Sequence, residues 1–319
     1  MPSGVSPASS TGYECVGPPW DWKCYKKGSR LSIYSLFMIA YNARGAPDEW
    51  DGAAARMSRQ AGRDGTTAME TGSLRLTTTG YRGQRVRYAV PFLAFPTTSG
   101  RLIVQAPGTG EAKEGAGNRY VLLAEPLQSR NIATFVTCNP PMPDGQFDHP
   151  DEPYSYRGAS WNRIYVEGVA SLVEHCLNNA EALCGAKEPE VCLAGFSSGG
   201  SVAVTVAAFF AAVKKILLIS TYDSVGVGSM GWYYLNGLRR YTGEVYVAYG
   251  EEDAPAAMLA ITLPALARSA SAVHARGVPR CGHSFAGEPN DRIFSQAYLW
   301  AFAGDDSFPS PDGGVPLSE

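Results

Sequence analysis

From about residue 73 onward, short apolar runs alternate with longer segments whose apolar residues recur every three or four positions. The runs have the length of strands, and the longer segments have the periodicity of amphipathic helices. Such alternation predicts an α/β fold in which a mostly parallel central sheet carries helices on both faces. The run from Ile216 to Ile219 is apolar throughout, as expected for a strand covered on both faces. Strands are predicted at 73–79, 85–95, 101–106, 131–138, 190–194, 215–220, 244–249 and 271–275.

Helices fill the intervals between these strands. They are predicted at 118–127, with Asn118 as the N-cap, and at 161–176, 198–213, 255–268 and 291–302. In an open parallel sheet, ligands bind at the carboxyl ends of the strands. The residues directly after each predicted strand are therefore the first candidates for a functional site.

The first 70 residues differ from the rest of the chain. They are rich in Gly, Ser, Pro and Arg, and their apolar positions follow no regular period. We therefore predict a partly irregular N-terminal extension over 1–70, which is available to cover a site, and an α/β domain over 71–304. A flexible C-terminal tail is predicted over 305–319.

Composition excludes several functional classes. Lys and Arg number 27 and Asp and Glu number 30, so the net charge of −3 offers no basic footprint for nucleic acid. No apolar run reaches the ~18 to 20 residues of a membrane span. Seven cysteines at scattered spacing form neither a disulfide framework nor a zinc motif, which predicts reduced thiols and a cytoplasmic location. A pairing of Cys15 with Cys24 stays open.

A G-x-S-x-G motif at 195–199 stands between a predicted strand and a predicted helix. A strand that turns directly into a helix forces its middle residue, here Ser197, into a strained conformation. The residues two positions away must then be small, and Gly195 and Gly199 meet that requirement. The hydroxyl of Ser197 is predicted to project above the sheet, at the positive end of the following helix. The alternative is a glycine-rich turn in which the serine has no catalytic role.

A serine hydroxyl needs a base to act as a nucleophile, and the chain offers four histidines. His175 falls within a predicted helix, His274 within the last strand, and His149 in an acidic, proline-rich loop typical of solvated surface. Only His283 follows the last strand, on the same sheet edge as Ser197. His283 is therefore the candidate base, and no metal site is predicted around His149.

A base of this kind is oriented by an acid. Asp253 follows the strand at 244–249, and its choice gives the chain order Ser…Asp…His. Asp223, one strand earlier, is the main rival. Glu251 and Glu252, which lie in the same turn as Asp253, are weaker candidates for this role.

Acyl transfer also needs backbone donors aimed at the developing oxyanion. The N–H of Ser198, at the start of a helix, is one candidate. The second is the N–H of Thr109, in the small loop 107–111 that follows the strand at 101–106. Neither a G-K-[ST] nor a G-x-G-x-x-G pattern accompanies this loop, so nucleotide binding is not predicted.

Four motifs resemble those of the α/β-hydrolase family and follow the family's order and spacing. In chain order they are the loop PGTGE at 107–111, the elbow GFSSG at 195–199, the turn GEED at 250–253 and the loop GHSF at 282–285. The resemblance covers about three quarters of the chain, from 73 to 302. One departure is Pro107, where many members carry His. Residues 1–70 match nothing in the family.

The resemblance implies a lid between the sixth and seventh strands in many members, but the interval 221–243 is too short for a large one. Tyr222, Trp232 and Tyr233 lie in or beside this interval and are predicted to wall an open substrate site. The alternative is that these aromatic residues belong to the core.

The sequence thus predicts a serine hydrolase that cleaves a carboxylic ester or thioester, free or carrier-bound, without a metal or organic cofactor. An acyltransferase or thioesterase-cyclase would use the same triad with another acceptor. A non-catalytic binding module is the third possibility, although such chains usually lose one of the three catalytic side chains.

Overall fold

The computed structural model describes the following parts of the chain: 13–16, 23–26, 58–61, 68–79, 85–140, 155–156, 159–221, 230–310, 312 and 314. The chain divides into two compact units, Met1–Ala53 and Ala54–Glu319. The domain boundary predicted near residue 70 stays a prediction.

The first unit contains an antiparallel strand pair, β1 (Tyr13–Val16) and β2 (Lys23–Lys26). Its register places Cys15 opposite Cys24. The side chains of both cysteines lie outside the described part of the structure, so their pairing stays open.

The second unit is built on a nine-stranded sheet. Its strands are β3 (Ser58–Ala61), β4 (Ala68–Thr79), β5 (Arg85–Phe95), β6 (Arg101–Ala106), β7 (Thr134–Cys138), β10 (Glu190–Phe196), β11 (Val213–Ile219), β12 (Glu244–Gly250) and β13 (Ala272–Val278). A separate short hairpin pairs β8 (Ser155–Tyr156) with β9 (Ala159–Ser160).

The order across the sheet is β13-β12-β11-β10-β6-β7-β5-β4-β3. The six strands from β13 to β7 are parallel, and the other three continue the sheet by antiparallel pairing. The mostly parallel sheet that the alternation predicts is confirmed. Because the parallel strands share one direction, the residues that follow β6, β10, β12 and β13 meet at a single edge.

Helices cover the sheet. They are α1 (Arg119–Ser129), α2 (Trp161–Asn178), α3 (Ala180–Cys184), α4 (Ser198–Ala207), α5 (Met230–Arg240), α6 (Ala254–Leu266) and α7 (Asn290–Ala303). One face of the sheet packs with α1 and α7 around buried Phe135, Phe294 and Tyr298. The alternate residues of the strands, such as Leu102 and Leu193, are equally buried, and α2 and α4 contact these same strands.

Asn118 occupies the N-cap position directly before α1, as predicted, although its backbone is left-handed (φ 60°) and its side chain makes no capping hydrogen bond. One local prediction is wrong. The helix predicted to run to 213 ends at Ala207, and strand β11 begins at Val213. The sequence is apolar on both sides of this boundary, so periodicity alone could not locate it.

Among the described helices, none combines the length and the apolar character that crossing a bilayer requires.

Candidate active site

Ser197 occupies a strained turn between β10 and α4. Its backbone angles are φ 52° and ψ −121°, a combination that residues other than glycine rarely adopt. A Cβ on Gly195 would overlap the carbonyl oxygen of Gly199, and a Cβ on Gly199 would overlap that of Ala106. Only glycine fits at both positions, and Ser197 remains partly exposed between them.

A chain of hydrogen bonds connects Ser197 to a histidine and an acid. Nε2 of His283 lies 3.0 Å from Oγ of Ser197, and Nδ1 of His283 lies 2.7 Å from Oδ2 of Asp253. A carboxylate only accepts hydrogen bonds, so the proton of a neutral imidazole belongs on Nδ1. Nε2 then carries the lone pair that accepts the proton of the Ser197 hydroxyl.

Solvent exposure differs between the acid and the base of these hydrogen-bonded residues. The side chain of Asp253 is 6% exposed and that of His283 is 40% exposed. The acid is therefore shielded from solvent, whereas the imidazole can be reached from solvent.

Backbone hydrogen bonds join the turn that carries Asp253 to the loop that carries His283. The N–H of Glu252 donates to the carbonyl of Cys281 over 3.0 Å, and the N–H of Glu251 donates to the carbonyl of Val278 over 3.0 Å. These bonds continue the pairing of β12 with β13 beyond the ends of the strands.

The loop after β6 adjoins the start of α4. The Thr109 hydroxyl donates to Oγ of the Ser198 side chain over 2.8 Å, and the Gly108 N–H donates to Oε2 of Glu111 over 3.0 Å. Within the part of the chain that the structure describes, the N–H groups of Thr109 and Ser198 have no protein partner. Both amides therefore stay candidate donors to an oxyanion bonded to Ser197, and the helix dipole of α4 favours negative charge at its start.

Comparison with solved structures identifies the fold. A dienelactone hydrolase from Anabaena variabilis is 12% identical, with a TM-score of 0.50 over 73% of this chain and 99% of its own. A Klebsiella pneumoniae protein, provisionally described as a dienelactone hydrolase, is 16% identical, with a TM-score of 0.52 over 73% and 99%. DcsB, solved with a substrate analogue, is 13% identical, with a TM-score of 0.51 over 73% and 100%.

This chain has the α/β-hydrolase fold. The fold that the four sequence motifs imply is thereby confirmed. No family model matches the sequence, and no curated protein matches it.

On this α/β-hydrolase scaffold, a buried ion pair that sequence reasoning missed adjoins the candidate site. Glu111 of the loop after β6 pairs with Arg119, the first residue of α1. The sequence signal was limited to an acid at the end of a glycine-rich loop and a basic residue before an apolar helix. Neither feature distinguishes an ion pair from solvated surface.

A cavity of about 1000 Å³ lies beside this pair. Glu111, Arg119, Phe196 and Ser284 form part of its lining, whereas Ser197, His283 and Asp253 do not. The cavity therefore borders the catalytic loops from the side of α1 rather than containing the reactive groups.

The two other histidines that the structure describes stand apart from Ser197. His175 lies on α2 with its ring 5.4 Å from that of Phe92, and burial lowers its pKa. His274 lies on β13, stacked on Tyr246 at 4.7 Å. His149 and the rival acid Asp223 lie outside the described residues.

The predicted substrate wall stays a prediction. Trp232 and Tyr233 belong to α5, but the structure does not describe their side chains, and Tyr222 lies outside the described residues. Among the residues that are described, no group of three or more His, Cys, Asp and Glu side chains could hold a metal ion.

Proposed function

We propose that this protein hydrolyses a carboxylic ester or thioester through an acyl intermediate on Ser197. The observation that supports this most strongly is the hydrogen-bonded chain Ser197–His283–Asp253, in which Ser197 occupies a strained turn. Nucleophile, base and orienting acid within hydrogen-bonding reach of one another are the arrangement that acyl transfer requires.

In the acylation step, Oγ of Ser197 attacks the carbonyl carbon of the substrate and Nε2 of His283 takes the hydroxyl proton. Asp253 stabilises the imidazolium and holds the ring in its tautomer. The carbonyl oxygen becomes an oxyanion, which the N–H groups of Thr109 and Ser198 stabilise. The bond to the leaving oxygen or sulfur then breaks, and the leaving group receives the proton from His283.

Deacylation repeats these steps with water as the nucleophile. His283 takes one proton from water while the resulting hydroxide attacks the acyl carbon. The tetrahedral intermediate collapses, the carboxylic acid product leaves, and Ser197 recovers its proton. Each oxyanion donor in such a site contributes on the order of 10²- to 10³-fold in kcat.

The comparisons are consistent with this proposal, but the proposal does not rest on them. The names of two compared proteins refer to dienelactone hydrolases, and the α/β-hydrolase fold presents a triad in this chain order. A fold hosts many functions, so the assignment depends on the site residues of this chain.

The test uses a fluorophosphonate probe and a panel of acyl esters and thioesters of varied chain length. We expect labelling and turnover in the wild type, and loss of both in Ser197→Ala with the fold retained. Loss of the nucleophile should cost on the order of 10⁴- to 10⁶-fold in kcat.

Ser269→Ala is the matched control, because it removes an exposed hydroxyl that donates to the Arg239 carbonyl rather than to a residue of the candidate site. Turnover that survives in Ser197→Ala at the wild-type rate would refute the proposal. The same assay with added alcohols or amines separates hydrolysis from transfer, since an acyltransferase would yield new esters or amides.

We also infer a cytoplasmic location. The support is that all five cysteines whose side chains are described are buried free thiols. Cell fractionation with compartment markers tests this inference, and recovery with an extracytoplasmic marker would contradict it.

A further inference from the structure

The Glu111–Arg119 ion pair is buried beside the candidate active site. The Arg119 side chain is 9% exposed and that of Glu111 is 12% exposed. Removing two charges from water is costly unless further hydrogen bonds satisfy both groups. The other partners of the pair therefore indicate what it holds in place.

Both carboxylate oxygens of Glu111 are occupied. Oε1 accepts from Nη2 of Arg119. Oε2 accepts from the N–H of Gly108 over 3.0 Å and from the hydroxyl of Tyr120 over 2.7 Å. Gly108 immediately precedes Thr109, so the carboxylate fixes the peptide next to the Thr109 N–H, the second candidate oxyanion donor.

Arg119 reaches the other side of the site. Its Nη1 donates to the carbonyl of Ser284 over 3.1 Å, and Ser284 immediately follows His283. Its guanidinium lies 4.2 Å from the ring centre of Phe196, the residue before Ser197, and 4.4 Å from that of Phe294. One side chain thus contacts the neighbours of both the candidate nucleophile and the candidate base.

A network of buried polar side chains is hydrogen-bonded to the Glu111–Arg119 pair. The Tyr120 hydroxyl, which donates to Glu111, accepts from Nε2 of Gln105 over 3.3 Å. Oε1 of Gln105 accepts from the Tyr298 hydroxyl over 2.6 Å. Burial raises the pKa of Tyr120 well above its ordinary value, so this phenol remains a proton donor to Glu111.

We propose that Glu111 and Arg119 are positioning residues, which hold the loop carrying Thr109 and the loop carrying His283 in register with Ser197. This inference rests on the function proposed above. Neither side chain is assigned contact with the reacting atoms, since Glu111 acts through Gly108 and Arg119 acts through Ser284 and Phe196.

Removing the carboxylate releases the Gly108 peptide and with it the direction of the Thr109 N–H. Glu111→Ala should therefore lose on the order of 10²-fold in kcat, as when one oxyanion donor is removed, with KM changed less than about threefold. Affinity for an arylboronic acid, which forms a tetrahedral adduct with an active serine, should fall in the same proportion. The ratio of kcat loss to KM change separates positioning from substrate binding.

Two conservative variants refine the test. Glu111→Gln keeps an oxygen for the Gly108 N–H but loses the ion pair. Its kcat should therefore be at least tenfold higher than that of Glu111→Ala. Arg119→Lys keeps the charge but lacks a planar fork that spans Glu111 and the Ser284 carbonyl, so its kcat should fall about tenfold.

Glu190→Ala is the matched control. Glu190 accepts from Arg101 over 3.0 Å, and Arg101 also donates to the carbonyl of Phe302 over 2.6 Å. This pair repeats the same bonding pattern at the opposite edge of the sheet, where β6 and β10 begin, although it is more exposed (27% and 34%). Its loss should lower Tm and leave kcat unchanged.

All values of kcat are normalised to active sites titrated with the fluorophosphonate probe, so that unfolded protein does not count as loss of rate. Wild-type kcat and boronate affinity in folded Glu111→Ala would overturn the inference, while the wild-type enzyme would still uphold the proposed function. If Glu111→Ala does not fold, Arg119→Lys decides, and an unchanged normalised kcat there overturns it. A wild-type protein without labelling or turnover would instead refute the proposed function.

Discussion

Nε2 of His283 lies 3.0 Å from Oγ of Ser197, although 86 residues separate them in sequence. The contact follows from topology, since both residues leave parallel strands at the same edge of the sheet. Ser197 follows β10 directly, and His283 comes from the loop after β13. The hydrogen bond from His283 to Asp253 fixes the imidazole in this position.

Asp253→Asn should lower kcat on the order of 10⁴-fold, whereas Asp223→Asn should have little effect. An amide at 253 presents an N–H or a weaker acceptor to Nδ1, which favours the wrong imidazole tautomer for proton transfer from Ser197. Steady-state kinetics of the two variants checks the ranking. The reverse ranking would move the acid to the loop after β11.

The sequence could predict those parts of the site that the order of the strands alone brings together. Ser197, Asp253 and His283 each follow a predicted strand, so the order of elements was enough to bring them to one edge. The start of β7 could not be predicted in this way. The strand was predicted from Asn131, but Asn131 has a left-handed backbone (φ 50°) and β7 begins at Thr134. Asparagine adopts this conformation in some places and not in others, so the residue type alone does not reveal it.

The Glu111–Arg119 pair lay beyond sequence reasoning for a different reason. Its meaning depends on the carbonyl of Ser284, which lies 165 residues from Arg119 in the chain. Strand order can place whole loops together, but it cannot specify which side chain of one loop meets which carbonyl of another. That contact requires the packed structure.

Gly199→Ala should abolish activity or prevent folding of the elbow. The added Cβ would overlap the carbonyl oxygens of Ala106, the last residue of β6, and of Pro107, the first residue of the loop that carries Thr109. Neither oxygen can move without displacing that loop. Gly282→Ala is the control, because a Cβ there meets nothing within 4 Å. Activity and circular dichroism measured on both variants test the steric argument. Wild-type activity in Gly199→Ala would mean that the elbow is less crowded than the structure indicates.

The described cysteines should resist alkylation in the native protein. Burial raises the pKa of Cys138 and of Cys281 to about 12, so both thiols stay protonated at pH 8, where only a thiolate reacts readily. Iodoacetamide at pH 8 should therefore leave activity unchanged, although Cys281 is two residues from His283. Peptide mapping by mass spectrometry should find Cys138 and Cys281 unmodified until the protein is unfolded. Inactivation together with modification of Cys281 would contradict the prediction.

His283→Gln should lower kcat/KM on the order of 10⁴- to 10⁶-fold, because the side chain that takes the proton of Ser197 is lost. Glutamine can form a hydrogen bond with Oγ of Ser197, but it cannot act as a general base. Since Ser197 supplies the nucleophile, EDTA should leave the rate of the wild type unchanged. Steady-state kinetics of the variant, and of the wild type with and without EDTA, checks both expectations. Wild-type kcat/KM in His283→Gln, or activity that disappears with EDTA and returns with a divalent metal, would exclude His283 as the sole general base.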